Sequence, residues 1–522
     1  MRLATAFLIL HAWSLSACCS DRQFLEADSP EAAVQNVSRQ VDELLEKSWR
    51  DHEVQSAQPA DDAEFLRRAC LDITGRIPRV SVVREFLDRQ HAGHRQRMIE
   101  QLLDSPGYVT SFADFWTSAL IPETRTDPQL RLLQPGFEAW VREQFIRDVP
   151  YDRMVRELLT ARIRSGESGP RPDEPAPDVF FRVKQFKPEN IAAATSRVFL
   201  GVRLECAQCH NHPFDSWKQD QFWSFAAFFS GLSADENLMQ VVDSGDRRRI
   251  RIPDSDRTIE AAFLTVEKPD WQTARTTRSV LADWITAPEN PWFARMAVNR
   301  IWAHFFGRGF VEPVDDFMSS STPDHPEVLD LLAREFVRHQ YDMRFLIRVI
   351  TATKAWQLSS RSHADHGPPH LFARMPVRGL SPMQVFNSLS VALGTFEPFT
   401  VPGQFIDQPA QAEFYELFRN ESDGVQERRT TILQALSLMN GQLMSDGTSL
   451  ESSRTLRAIV DYPLMSAEQK IETLYLATLS RYPTAAERTR MLKHLEVSGD
   501  EAKGLADILW VLLNTTEFAF NH

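Results

Sequence analysis

Apolar residues along this chain recur mostly three and four positions apart, the spacing that gives a helix one buried face. Between Pro188 and Val202 the positions Ile191, Ala194, Val198 and Val202 share such a face, and Gly201 loosens its end. Phe222, Phe225, Ala226 and Phe229 repeat the spacing, with Gly231 as the stop. The stretches "FADFWTSAL" and "FEAWVREQFIRDV" read the same way, as does a helix near Ala32 to Ser48. In "NPWFARMAVNRIWAHFFGRG", Phe293, Ala297, Ile301 and Phe305 recur and Gly307 or Gly309 ends the run. "TPDHPEVLDLLAREFVRH" offers Asp324 as N-cap and Pro326 in the first turn, ahead of Val328, Leu331, Leu332 and Phe336. Near the end, Leu505, Ile508, Leu509 and Leu512 form one stripe. Strand-forming residues cluster only over 234–275, in "MQVVD", "RRRIRIP" and "TIEAAFLTVE". The Pro- and Gly-rich run over 166–178 predicts an exposed loop. The pattern predicts a mainly α protein: two helical domains, 61–233 and 276–522, joined by a short β-containing segment, 234–275.

The amino terminus changes the setting. Met1-Arg2 is followed by an apolar run of about a dozen residues, too short for a membrane span and suited to a signal h-region. Leu15-Ser16-Ala17-Cys18 closes it and resembles the bacterial lipobox, so residues 1–17 are expected to be removed and Cys18 lipidated. The expectation is an exported body tethered through 18–60 to a membrane facing the periplasm or cell surface. A net charge of −13 argues against nucleic acid as a partner. Of five cysteines, Cys70 sits among apolar neighbours as a small core residue, and three beyond the tether make no disulfide framework.

The chemistry concentrates in "LECAQCHNHPFDSW". Cys206-x-x-Cys209-His210 is the attachment signature of a c-type haem, with two thiols for two vinyl groups and a histidine for the iron. Met239 and Met296 suit a sixth ligand by type, but their spacing selects neither. A metal site competes: Cys206, Cys209, His210, His212 and Asp215 offer thiolate, imidazole and carboxylate to a zinc or iron ion. A Cys206–Cys209 disulfide or redox pair is a third option, and two structural cysteines with two satisfied histidines a fourth. In "VEPVDDF", Glu312, Asp315 and Asp316 could act as paired carboxylates, but capping and pairing with Arg295, Arg300 or Arg308 account for them better. His304 reads as a satisfied core histidine, and His325 belongs to a helix start. His363, His366 and His370 lie in a polar loop. No phosphate-binding Gly-rich loop, Gly-x-Ser-x-Gly elbow or His-Glu-x-x-His is present, so no familiar enzyme class is indicated.

"FLRRACLDITGRIP", "FLGVRLECAQCHNHPFDSWKQDQFWSFAAFF", "NPWFARMAVNRIWAHFFGRGFVEPVDDF" and "DILWVLLNTTEFAFNH" resemble one bacterial family. It pairs a planctomycete cytochrome-c-like domain of unknown function with a planctomycete-specific domain of unknown function. The resemblance runs from about residue 40 to the end. It implies haem c on Cys206, Cys209 and His210, electron transfer with an unidentified redox partner, and a setting in polysaccharide breakdown. A common family form of the signature continues His-Asp-His-Lys-Phe-Asp, which this chain meets with His210-Asn211-His212-Pro213-Phe214-Asp215. The retained His212 and Asp215 keep the metal option open.

Overall fold

One buried helix organises the molecule. In the computed structural model Asp62–Thr74 is capped by Asp61, whose side chain accepts the Glu64 N–H, and stopped by Gly75 in the left-handed region. Every residue of this helix from Glu64 to Thr74 is buried, so its polar residues need internal partners. Arg68 reaches the Trp356 and Leu358 carbonyls and Glu64, while Arg67 reaches the carbonyls of Thr478, Glu517 and Phe518. The structure describes residues 29–89, 91–164, 174–235, 240–265, 267–271, 275–317, 321–361, 364–395 and 442–522. Residues 1–17, expected to be a signal segment, and Cys18, Met239 and His363 lie outside these.

The chain is mainly α with two domain-like regions, as the periodicity predicts. Among the described residues the strands are short: Leu232–Ala234 pairs with Val241–Asp243, Arg249–Arg251 with Thr258–Glu260, and Arg378–Gly379 with Phe520–Asn521, all antiparallel. The 234–275 segment therefore holds hairpins, but it does not interrupt the core. Ile250, Ile252, Ala261 and Leu264 pack into the same apolar cluster as Phe65, Trp223, Leu281 and Trp302. That larger core extends to Met375, and a smaller one gathers Leu380 to Phe518 with Leu71 and Ile77 of the first region.

Local expectations hold where a cap or glycine fixes them. Helix Phe293–Phe306 stops at left-handed Gly307, and Cys70 is buried with its thiol pushed up to about 12 by desolvation. His304 is satisfied by the Asp72 carbonyl. Three details are corrected. Asp324 does not cap helix Pro326–Arg338; His325 occupies that position without a side-chain bond to the helix, its Nε2 lying 2.9 Å from the His370 carbonyl, and Asp324 instead accepts from Arg308. The end of the 166–178 stretch is buried, because Ala176 packs into the core and Asp178 receives Arg164 and Arg182. His366 is not a free loop histidine: it is 9 % exposed and its Nδ1 lies 2.6 Å from the Gln55 carbonyl. No described helix is long and apolar enough to cross a membrane.

Candidate functional site

The approach to the motif is fixed by a glycine. Helix Pro188–Thr195 runs into a wide turn, Ser196–Leu200, and ends at Gly201 with φ +67°. A Cβ there would lie 2.4 Å from the Phe317 ring and 2.9 Å from the Met296 sulfur, so only glycine fits. A 3₁₀ turn, Glu205–Gln208, follows. Leu204 and Ala207 are wholly buried and pin this turn to the core, while Cys206 and Cys209 are exposed free thiols. The next helix, Gln219–Ala226, holds the turn from behind. Trp223 donates its indole N–H to the Gln208 carbonyl (3.0 Å), and the Gln219 amide donates to the carbonyls of Cys209 (2.9 Å) and Gln208 (3.2 Å).

The two histidines are held in opposite tautomers. His210 Nδ1 lies 2.7 Å from the Asn211 carbonyl oxygen. A carbonyl can only accept, so Nδ1 carries the proton and Nε2 of the neutral ring keeps its lone pair. His212 Nδ1 accepts the Phe214 N–H at 3.2 Å, which leaves the proton on Nε2. His210 thus presents a ligand nitrogen and His212 a donor. Asp215 accepts from the Ser216 N–H and hydroxyl. Phe214 is 79 % exposed, and the half-buried Trp217 packs against Trp292 at 6.4 Å.

A second wall comes from "GFVEPVDDF", more than a hundred residues later. Buried Asn299 shapes it, donating to the Val311 and Val314 carbonyls and accepting the Phe310 and Val311 N–H groups. Glu312 caps the Gly309 N–H. Phe317 then donates its N–H to the Gly201 carbonyl at 2.7 Å. The carboxylates are structural, as expected, but their partners differ from those the sequence suggested. Arg295 pairs with Asp330 and Arg308 with Asp324. Asp315 instead receives Arg203 at 2.6 Å, with Arg197 4.0 Å away, and Asp316 lies 3.8 Å from Arg203. Arg300 acts on Asp315 only through its field. Burial raises the Asp316 carboxyl above its usual range, against the pull of Arg203; the charges of Asp315 and Asp215 add to the rise, and His212 opposes it. Sequence reasoning missed this meeting of two distant segments. Nothing in either one points to the other.

Cys206, Cys209, His210, His212 and Asp215 share one loop, yet no three His, Cys, Asp or Glu side chains among the described residues converge on one point. Two outward thiols and an adjacent histidine with a free Nε2 do fit covalent haem attachment. Met296 is wholly buried against Gly201 and offers no exposed sulfur. Residues 40–234 match a family model described as PSCyt2, a protein of unknown function (DUF1549). Residues 277–421 match one described as PSD1, a protein of unknown function (DUF1553). The motif lies in the first match and the Asp315–Asp316 loop in the second. No curated protein and no solved structure matches the chain.

Proposed function

We propose, from the premise that the chain belongs to the family pairing PSCyt2 with PSD1, that it carries a c-type haem on Cys206 and Cys209 with His210 as proximal ligand, and transfers single electrons. The observation that carries this reading is His210. Its Nδ1–H is committed to the Asn211 carbonyl, which leaves the Nε2 lone pair of this exposed residue open in the same loop as two free, exposed thiols. Such a group, when bound, supplies a reversible one-electron couple. The chain's part is to hold: Leu204 and Ala207 anchor the turn, Gln219 and Trp223 fix its carbonyls, and Phe214 and Trp217 offer apolar surface in the same loop. In this reading the protein is exported, lipid-anchored at Cys18, and works with a redox partner protein; the amino-terminal pattern supports that setting. The test is the visible spectrum of the full chain made in a host with cytochrome c maturation. A covalent haem band that survives denaturation and disappears in Cys206→Ala/Cys209→Ala establishes the reading. A colourless, folded protein overturns it.

A second reading has one observation in its favour. Asp316 Oδ1 is buried without a hydrogen-bond partner, in the electrostatic range of His212 and Asp215. A zinc or iron ion held among Cys206, Cys209, His210 and Asp215, with His212 joining only after a change of tautomer, would give that oxygen a positive neighbour. Elemental analysis of a colourless protein, followed by assays on polysaccharides, tests it; the absence of stoichiometric metal rejects it.

A further inference from the structure

The segment from Gly201 to Cys206 is tied down by residues of the other matched region. Phe317 bonds the Gly201 carbonyl and lays its ring where a Gly201 side chain would be. Arg203 bonds one oxygen of Asp315 at 2.6 Å. Arg197 stands 4.0 Å from the other oxygen and 3.9 Å from Glu205, the residue before Cys206. The loop carrying Asp315 is itself held by the four hydrogen bonds of Asn299. We infer that the PSD1 region completes the site in the PSCyt2 region: Asp315, acting through Arg203, is a positioning residue for the turn that bears Cys206, Cys209 and His210. The inference rests on the reading of that turn as the place where a redox group is held. It gives the pairing of two domains a physical purpose, since contacts from the second region add to those that Gly201, Leu204 and Gln219 make within the first.

Arg203 is 41 % exposed, so its contact with Asp315 has the modest strength of a half-exposed pair. The two groups also differ in sign. A carboxylate near a one-electron centre favours its oxidised form, and a guanidinium favours the reduced one. Loss of either partner therefore loosens the turn alike, which exchange reads, while the field of the lost charge moves the reduction potential in opposite directions and reads how near the pair stands to the redox group.

The experiment uses the full chain with Arg203→Gln, Asp315→Asn and both together. Backbone hydrogen exchange is followed over residues 201–212 in cofactor-free protein, and the reduction potential wherever haem is attached. Each single change is expected to speed local exchange about five-fold with the overall melting curve preserved, and the double change to add little, because one contact is lost in each case. The potential is expected to rise for Asp315→Asn and fall for Arg203→Gln. Exchange equal to the parent's, or effects that multiply, would overturn the inference. A colourless parent protein would defeat the haem reading alone, and the exchange cycle would still decide the role of Asp315.

Discussion

Two polar clusters in this molecule use similar residue types to opposite ends. Around Asp72, deep between the helices, the buried carboxylate is matched on every side. The carboxylate receives Arg378 at 2.9 and 3.0 Å, Asn521 at 2.7 Å and the Trp356 indole, and the His304 ring meets the Asp72 carbonyl. Along 205–217 the backbone is held just as firmly, by Gln219 and Trp223, but the thiols and the His210 Nε2 are left over. Both clusters satisfy the main chain. They differ in where the charged or ligating group stands: the Asp72 carboxylate is buried and fully engaged, while the thiols and the His210 ring are exposed.

The largest effect should come from breaking the buried cluster. Asp72→Ala leaves the Arg378 guanidinium, 6 % exposed, without its counter-charge and is expected to cost about 3–5 kcal/mol, read as a lower urea midpoint. A loss below about 1 kcal/mol would erase the contrast between the clusters. Asp42 occupies middle ground, a carboxylate that accepts the Lys354 N–H yet lacks a close matched cation of its own. Burial pushes it up to about 7, helped by Glu46. Because its folded value is raised above 3.8, the stability it contributes is fully present below that pH and is lost as pH rises through about 7. Asp42→Asn should therefore be more stable than the parent at pH 8 by about 1–2 kcal/mol, after allowing for solvent screening, with the gap closing toward pH 4. Denaturant midpoints at the two pH values check the sign. Trp223→Phe removes one hydrogen bond behind the turn and should cost about 1 kcal/mol; on the proposed haem reading it also lowers the fraction of chain that carries the group. Smallest in stability is Cys206→Ala/Cys209→Ala, expected within about 0.5 kcal/mol of the parent because both thiols are exposed. A large destabilisation there would mean the thiols serve the fold after all.

Much of the helical framework is legible because its signals are local. Gly307 and Gly201 end their helices through backbone freedom, and Ser381, Ser466 and Thr484 form capping boxes with Gln384, Gln469 and Glu487. The motif is legible as a string, since three ligands within five residues need no fold to be noticed. What the string cannot convey is the tautomer of His210, which depends on where the Asn211 carbonyl points. Nor can it convey the pairing of Arg203 with Asp315 in place of the arginines nearer in sequence. Asp324 misled for a related reason: it has the composition of a cap, but Arg308 competes for it across a turn that only the folded chain brings close. Ion pairs of this kind are decided by the path of the backbone, and residue type alone leaves several partners open.

The unbroken larger core carries a consequence for how such a protein can change over generations. Leu232, Ile250, Leu281 and Trp302 lie in one apolar cluster that runs straight through the stretch between the two matched regions. A deletion or recombination there would leave each half with an open flank of bare hydrocarbon, inviting aggregation. The two regions are thus bound to be inherited as a single piece, and shuffling one of them onto a new neighbour would demand a replacement for half a core.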